Sequence, residues 1–238
     1  MKAFLLAAGN GTRLRPLTYT IPKCLVPING HPLLHYWLKL FEECGITDVL
    51  INLHHLPDLI FDFIFQNKFN LNIHTAYEQE LLGSAGTIRT NFDFVSRDRA
   101  FLICYADNLT NINLAKMIDA HLSKKQILTL GLFHTDNPQH CGIAEVDENN
   151  TVINFVEKPK NPRSNLAGAG IYVANHEIFH YLPEHFPSDI GFDVLPQLVG
   201  KMQGYFISEY FIDIGTTENY NRAIREFQEE YLSFECSN

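Results

Sequence analysis

The chain has 238 residues, of which 46% are hydrophobic and 12% aromatic, enough apolar side chain to bury one sizeable core and too much for an intrinsically disordered protein. Its formal net charge of −9 argues against a nucleic-acid partner, because such partners are held mainly by clustered Lys and Arg. Small phosphorylated ligands stay compatible with this charge, since they need only a few local cations.

The N-terminus and the cysteines bear on where the protein works. The apolar run that starts at Ala3 covers about six residues, too few for a signal-peptide core or a membrane span. We therefore predict a cytoplasmic protein without a membrane partner, and the spacing of its histidines predicts no histidine-based metal site. Scattered thiols without a C-x-x-C pair fit the same reducing compartment. These thiols are Cys24, Cys44, Cys104, Cys141 and Cys236.

Strand patterns and helix patterns alternate along the first part of the chain. The predicted strands are 2–8, 48–53, 71–76, 101–105 and 127–133, and the predicted helices are 32–45, 59–65 and 112–122. This alternation predicts βαβ units, and hence a Rossmann-like α/β fold whose mixed, mainly parallel sheet is flanked by helices.

The pattern changes after about Gln139, where short strands are separated by turn residues. The predicted strands here are 143–146, 152–157, 169–174 and 205–212, with helices at 192–198 and 218–231. They predict a smaller mixed or antiparallel extension of the sheet. We interpret residues 1–238 as a single domain with two halves, 1–138 and 139–238.

Glycines and charged residues follow the first strand. Gly9 and Gly11 would let backbone N–H groups approach an anion, Arg13 offers a forked donor to phosphate oxygens, and Lys23 offers a mobile charge. A loop with this chemistry can hold a triphosphate. The dinucleotide fingerprint fails because Leu14 occupies its last glycine position, and the Walker pattern of kinases and ATPases fails as well.

The segment L-A-A-G-N-G-T-R-L-R-P-L-T at 6–18, followed by P-K-C-L-V-P-I at 22–28, closely resembles the signature of the sugar-1-phosphate nucleotidyltransferases. That signature reads L-A-A-G-x-G-T-R-L-x-P-L-T, then P-K-x-L-x-P-[IV]. Further family elements are matched at 82–86, 156–159, 169–172, 193–196 and 211–216. Little chain follows, so we expect no C-terminal β-helix of the kind that some members carry.

The resemblance implies an enzyme that transfers a nucleoside monophosphate from an NTP to a sugar 1-phosphate and releases pyrophosphate. It implies Mg²⁺ as cofactor, held by Asp107 and Asp213, with Arg13 and Lys23 completing the catalytic set. From the residues alone, Asp107 could equally cap the turn after its strand, and Asp213 could face solvent. The implied partners are an NTP and a sugar 1-phosphate, without nucleic acid; a homo-oligomer is compatible with the sequence.

The resemblance also divides the remaining site residues between the two halves. Residues 1–138 form the implied nucleotide-binding half, with Leu6, Ala8, Gly9, Gly11, Thr12, Glu78, Gly83 and Ser84 as nucleotide-binding residues. Residues 139–238 form the implied sugar-phosphate-binding half, with Gly142, Glu157, Lys158 and Gly170 as its binding residues. Lys158 would hold the sugar's phosphate, and Glu157 would accept hydrogen bonds from sugar hydroxyls.

The base and the acceptor are the least determined part of the prediction. Glu78 falls where family members place a base-contacting side chain, and a carboxylate there accepts from guanine N1–H and N2–H₂ or from uracil N3–H. We favour GTP with mannose 1-phosphate or manno-heptose 1-phosphate. The alternatives are uridylyl or thymidylyl transfer to another sugar or amino-sugar 1-phosphate, a phosphocholine cytidylyltransferase, and a non-catalytic sugar-nucleotide sensor subunit.

Overall fold

The structure, a computed structural model, describes the backbone of residues 1–235 and the side chains of residues 1–227. Its strands are β1 Lys2–Leu6, β2 Pro27–Ile28, β3 His31–Pro32, β4 Asp48–Leu53, β5 Asn72–Tyr77, β6 Phe101–Tyr105, β7 Asn108–Thr110, β8 Leu128–His134, β9 Gly142–Val146, β10 Val152–Glu157, β11 Leu166–Ala174, β12 Met202–Phe206 and β13 Phe211–Asp213. Its helices are α1 Leu33–Glu43, α2 Pro57–Gln66, α3 Gly83–Thr90, α4 Phe92–Val95, α5 Leu114–Ser123 and α6 Thr217–Glu235.

Nine of the strands in the described part of the chain form one sheet. Its central strands β6, β1, β4 and β5 are parallel neighbours in that order, as βαβ units require. Beyond β6 the pairing changes, since β11 runs antiparallel to β6, β8 and β9, and β10 runs antiparallel to β9. β12 runs parallel to β8, so this part of the sheet is mixed. The predicted fold class, a mixed, mainly parallel sheet flanked by helices with a smaller mixed or antiparallel extension, is confirmed.

Both faces of the parallel strands are covered, which explains why these strands are almost entirely apolar. Ala3 and Leu5 of β1 point to the face where Trp37 of α1 packs, whereas Phe4 points to the opposite face. Ile88 of α3 packs on that opposite face. Trp37 is 1% exposed, and burying a side chain of this size contributes about 2–3 kcal/mol.

An irregularity in β11 interrupts the strand pairing of the sheet. Register with β8 shifts between Gly168 and Tyr172, and Gly170 within this gap has φ +66°. The side-chain amide of Asn108 donates to the Ala169 carbonyl at 2.8 Å and so replaces a missing ladder bond. The backbone of 168–170 is therefore free of strand pairing on one side and lines a cavity.

Several predicted elements differ from the observed ones. Strand 2–8 ends at Leu6, because Ala7 turns its N–H to a side chain of β4. Strand 205–212 is two strands, β12 and β13, which pair with different partners and are separated by residues 207–210. Helix 192–198 is a π-helical turn at Ile190–Val194 followed by a 3₁₀ turn at Leu195–Leu198. The periodicity of such short segments does not separate these geometries.

The four described thiols are free; Cys236 lies outside the described residues. Within the described part of the chain, no helix combines the length and the apolar character that a membrane crossing needs.

Candidate active site

The glycine-rich loop after β1 is shaped by two side chains. Ala7 donates its backbone N–H to Asn52 Oδ1 at 2.6 Å, which fixes the direction in which the chain leaves the sheet. Gly11 has φ +61°, and a Cβ there would lie 2.9 Å from Thr18 Cγ2. Thr18 also donates to the Gly11 carbonyl at 2.7 Å. Glycine is favoured at position 11, because a side chain in this conformation would be strained and would also press against Thr18.

A cavity of about 270 Å³ lies between this loop, the ends of β1, β4 and β6, and the start of α3. Its far end contains Glu78, which is 5% exposed. Glu78 Oε1 accepts from Asn52 Nδ2 at 2.9 Å and from Thr87 Oγ1 at 2.5 Å, and Oε2 accepts from the Leu82 N–H at 3.0 Å. These donors hold a buried carboxylate in one orientation at the cavity wall.

Ser84 lies at the start of α3 on the wall of the same cavity. Its hydroxyl donates to Asp189 Oδ2 at 2.8 Å and accepts from the Ile190 N–H at 2.8 Å. Gly83, with φ +77°, leaves room for the carbonyl of Ser188, which a Cβ would overlap. The loop before α3 is therefore attached directly to the segment 188–190.

Asp107 and Asp213, 106 positions apart in the sequence, are brought together by the small sheet of β7 and β13. Asp213 pairs with Asn108, and the Ile214 N–H donates to the Asp107 carbonyl at 2.8 Å. The ammonium of Lys23 lies 2.5 Å from Asp107 Oδ2 and 3.6 Å from Asp213 Oδ1. Two carboxylates and one lysine thus form a compact charged group at the mouth of the cavity.

Their pKa values move in opposite directions. Burial raises the pKa of Asp213, and the negative charge of Asp107 raises it further. Burial also acts upward on Asp107, but Lys23 outweighs it and leaves the pKa of Asp107 below its usual value. Arg13 lies beside this group, since a Cβ placed on Gly215 would be 2.9 Å from Arg13 Nη2 and 2.8 Å from Asp213 Oδ2.

A second cavity of about 210 Å³ opens on the other side of the aspartates. Glu157 lies close to Gly142 and Gly191, and a Cβ on Gly191 would be 2.6 Å from Glu157 Oε2. Burial raises the pKa of the Glu157 carboxyl despite the neighbouring Lys158. Lys158 has φ +47° and places its ammonium 3.7 Å from Glu157 Oε1 and 5.3 Å from the centre of the Phe192 ring.

The two cavities share the side chains of Tyr105, Asp107 and Asp189, so they are adjacent compartments of one cleft. Of the predicted residues, the first cavity is lined by Leu6, Ala8, Gly9, Lys23, Glu78, Gly83, Ser84 and Asp107, and the second by Arg13, Asp107, Gly142, Glu157, Lys158, Gly170 and Asp213. Gly11 and Thr12 line neither cavity. Gly11 shapes the loop, and Thr12 starts the short helical turn Thr12–Leu14 that carries Arg13.

Two residues that sequence reasoning missed hold the site together. Asn52 is a polar residue within the apolar strand β4, and that mismatch is the feature of the sequence that indicates its role. Asp189 lines both cavities and caps the following turn by accepting from the N–H groups of Gly191 and Phe192. Its position before an apolar run is typical of a helix N-cap, but no local pattern indicates its contact with Ser84.

The side chains of Asp107 and Asp213 form a donor set that suits a divalent cation. Asp213 Oδ1 is buried and accepts no hydrogen bond, an exceptional state for a carboxylate oxygen. No group of three or more His, Cys, Asp or Glu side chains within the described residues is placed to hold an ion on its own. Mg²⁺ commonly takes one or two carboxylates and completes its shell with water and substrate phosphates. Asp107 and Asp213 match this requirement.

The chain was compared with known families and structures. A family model described as Nucleotidyl transferase matches residues 2–230. The D-glycero-alpha-D-manno-heptose 1-phosphate guanylyltransferase of Aneurinibacillus thermoaerophilus is 32% identical, over 96% of this chain and 99% of that protein. The UTP--glucose-1-phosphate uridylyltransferase of Synechocystis sp. is 31% identical over 94% of this chain, which spans only 63% of that relative's length. The crystal structure of HddC from Yersinia pseudotuberculosis complexed with GMP-PN gives a TM-score of 0.79 at 26% identity, covering 95% of this chain and 99% of that chain.

Proposed function

Because the chain belongs to the nucleotidyl transferase family, we propose that it transfers GMP from GTP to a mannose-type or manno-heptose 1-phosphate and releases pyrophosphate. The observation that carries the proposal is the position of Asp107 and Asp213. They lie together where a cavity suited to a nucleotide meets a cavity suited to a phosphorylated acceptor. A reaction between two bound phosphates needs its charged groups at such a junction.

The chemistry is dominated by charge and alignment. The attacking oxygen of a sugar phosphate is already ionised, so the reaction needs no general base, and the main obstacle is repulsion between two anions. Mg²⁺ held by Asp107 and Asp213 would neutralise the phosphates and fix their geometry. Lys23, at the mouth of the nucleotide cavity, would stabilise charge on the α-phosphate, and Arg13 would stabilise the departing pyrophosphate.

The nucleotide cavity favours a base with an N–H group on its pairing edge. The carboxylate of Glu78 is held by three donors and offers only acceptor atoms to the cavity. Guanine, with adjacent N1–H and N2–H₂ donors, complements such a carboxylate, and uracil and thymine complement it through N3–H. Cytosine is disfavoured, because the lone pair on its N3 would face a lone pair of the Glu78 carboxylate.

The acceptor cavity suits a hydroxylated phosphate. Glu157 and Asp189 offer carboxylate acceptors for sugar hydroxyls, and Lys158 offers a cation for the acceptor phosphate. Two relatives support a guanine nucleotide and a manno-configured acceptor. One is named a manno-heptose 1-phosphate guanylyltransferase, and the other was crystallised with GMP-PN.

The test is pyrophosphate release across a grid of GTP, UTP, dTTP, CTP and ATP with four classes of acceptor. These acceptors are mannose or manno-heptose 1-phosphate, glucose 1-phosphate, an amino-sugar 1-phosphate and phosphocholine. We expect the highest kcat/KM for GTP with a manno-configured 1-phosphate. A preference for UTP or dTTP would replace the guanylyl proposal by the uridylyl or thymidylyl one.

Two further outcomes would change the class of function. Activity with phosphocholine alone, and with CTP, would overturn the sugar acceptor. If no combination of NTP and acceptor releases pyrophosphate and the protein binds a nucleotide sugar tightly, the result would indicate a sensor subunit instead of an enzyme.

A further inference from the structure

The position of the Lys23 ammonium has a consequence beyond its role toward the α-phosphate. Its Nζ lies 2.5 Å from Asp107 Oδ2 and 3.6 Å from Asp213 Oδ1, so it stands in the space that a cation shared by the two carboxylates must use. The side chain is only 11% exposed, which ties the ammonium to this place in the absence of substrate. A divalent ion and Lys23 cannot both occupy it.

The charge balance points the same way. Asp107 and Asp213 together carry two negative charges, and Lys23 with the adjacent Arg13 carries two positive ones. The free site therefore offers no excess negative charge to attract a divalent cation from water. Removing the lysine charge alone would leave one net negative charge at Asp213 Oδ1, a buried oxygen that accepts no hydrogen bond.

We propose that Lys23 is a built-in placeholder cation, which keeps the two aspartates closed to divalent metal until a nucleoside triphosphate draws the ammonium away. The proposal rests on the proposed function, because it takes Asp107 and Asp213 as the metal ligands. Lys23 borders the nucleotide cavity beside Gly9, so triphosphate oxygens bound on the glycine loop compete directly for its ammonium. Metal and nucleotide then bind with positive coupling, and the free enzyme retains little metal.

The test measures the binding of Mn²⁺, as a spectroscopic substitute for Mg²⁺, by electron paramagnetic resonance without nucleotide. If Lys23 holds the site for more than about nine-tenths of the time, Lys23→Met should bind Mn²⁺ at least about tenfold more tightly than the unaltered protein. The double variant Lys23→Met/Asp213→Asn should lose this gain. Lys160→Met removes an equal charge at an exposed position outside both cavities and should leave nucleotide-free Mn²⁺ binding unchanged.

The two aspartates lose their counter-ion in Lys23→Met, so Lys23→Gln, which keeps a hydrogen-bond donor, is measured in parallel. Mn²⁺ binding by either variant that is no tighter than that of the unaltered protein would overturn the placeholder role. A gain that survives Asp213→Asn, or that Lys160→Met reproduces, would overturn it as well.

A separate arm distinguishes this failure from failure of the proposed function. The unaltered protein is titrated with Mn²⁺ in the presence of a non-hydrolysable GTP analogue. Tight Mn²⁺ binding that depends on Asp213 supports the metal site, whatever the result for Lys23→Met. Loss of that binding in the unaltered protein would remove the metal assignment itself.

Discussion

The hydroxyl of Ser84 donates to Asp189 Oδ2 at 2.8 Å and joins the loop that lines the first cavity to the segment that lines the second. Two backbone bonds flank it, from the Ala85 N–H to the Ser188 carbonyl at 3.0 Å and from the Ser188 N–H to the Leu82 carbonyl at 2.9 Å. The two cavities therefore share a wall in which residues 82–85 are hydrogen-bonded to residues 188–189. A change on one side of this wall is expected to reach the other.

Asp189→Ala tests that wall. It removes the partner of Ser84 and the cap of the Gly191 and Phe192 N–H groups, so we expect a loss of about 1–2 kcal/mol of stability. We also expect KM to rise for both NTP and acceptor, measured by steady-state kinetics. Asn175→Ala is the control, because Asn175 caps the distant turn His176–His180 by accepting from the Glu177 N–H. It should lower the melting temperature without raising either KM; equal KM effects in both variants would contradict a role of Asp189 in the site.

Asp213→Asn should reduce turnover by orders of magnitude and leave the fold intact. The raised pKa of Asp213 reflects burial and the charge of Asp107, so removing its charge relieves repulsion in the free protein. We expect a melting temperature equal to or above that of the unaltered protein, measured by calorimetry, together with the loss of kcat. Asp136→Asn, at an exposed position, is the control and should change neither quantity. Turnover near the normal rate would remove the metal role from Asp213.

Glu78→Gln should reduce kcat/KM for the preferred NTP by about tenfold or more, because an amide cannot accept from all three present donors. The NH₂ group of the glutamine side chain is itself a donor, and it would face another donor, either the Leu82 N–H or the Asn52 amide. Glu80→Gln, an exposed change two residues away, is the matched control. The measurement is a comparison of kcat/KM across the NTPs, and an unchanged value for the preferred one would exclude Glu78 from base recognition.

Comparing Gly83→Ala with Gly200→Ala separates the stability lost through backbone strain from the stability lost through steric overlap. Gly83 and Gly200 have φ +77° and +80°, but a Cβ at Gly200 meets no atom within 4 Å, whereas one at Gly83 overlaps the Ser188 carbonyl. We expect Gly200→Ala to cost about 1 kcal/mol through strain alone, and Gly83→Ala to cost clearly more. Denaturant unfolding of both variants measures the difference. Equal losses would mean that the 188–190 segment moves aside freely.

His121 should make stability depend on pH below neutrality. The side chain is 4% exposed, and burial together with the nearby Arg99 lowers its pKa to about 4. In the unfolded chain, the imidazole at position 121 becomes protonated as the pH falls below about 6.5, whereas in the folded protein it stays neutral down to about pH 4. The free energy of unfolding therefore falls as the pH drops from about 6.5 to about 4. The loss attributable to this group is about 3 kcal/mol when complete.

His121→Gln tests this assignment, with denaturant unfolding of both proteins at pH 7 and pH 4.5. The variant loses the Thr129 contact at every pH, and it should lose less stability between the two pH values than the unaltered protein. An identical change with pH in both proteins would show that other groups carry the acid sensitivity.

Local patterns predicted the parallel part of the fold well. The strand 48–53 was placed at its observed bounds, because an apolar run buried on both faces and ended by polar residues has few alternatives. The strand 205–212 was wrong, since its residues alternate well enough for one strand but are divided between β12 and β13. The periodicity of a strand does not show which other strand it pairs with.

The sequence by itself determined the family, the glycine-rich loop and the residue types of the charged group, because each lies in a contiguous motif with its own local chemistry. The tertiary structure alone decided that Asp107 and Asp213 share one ammonium, that Asn52 and Thr87 orient Glu78, and that Asp189 separates the two cavities. These relationships join residues that are from 9 to 190 positions apart. Their distances are set by strand pairing and by the break in β11, which no local pattern encodes.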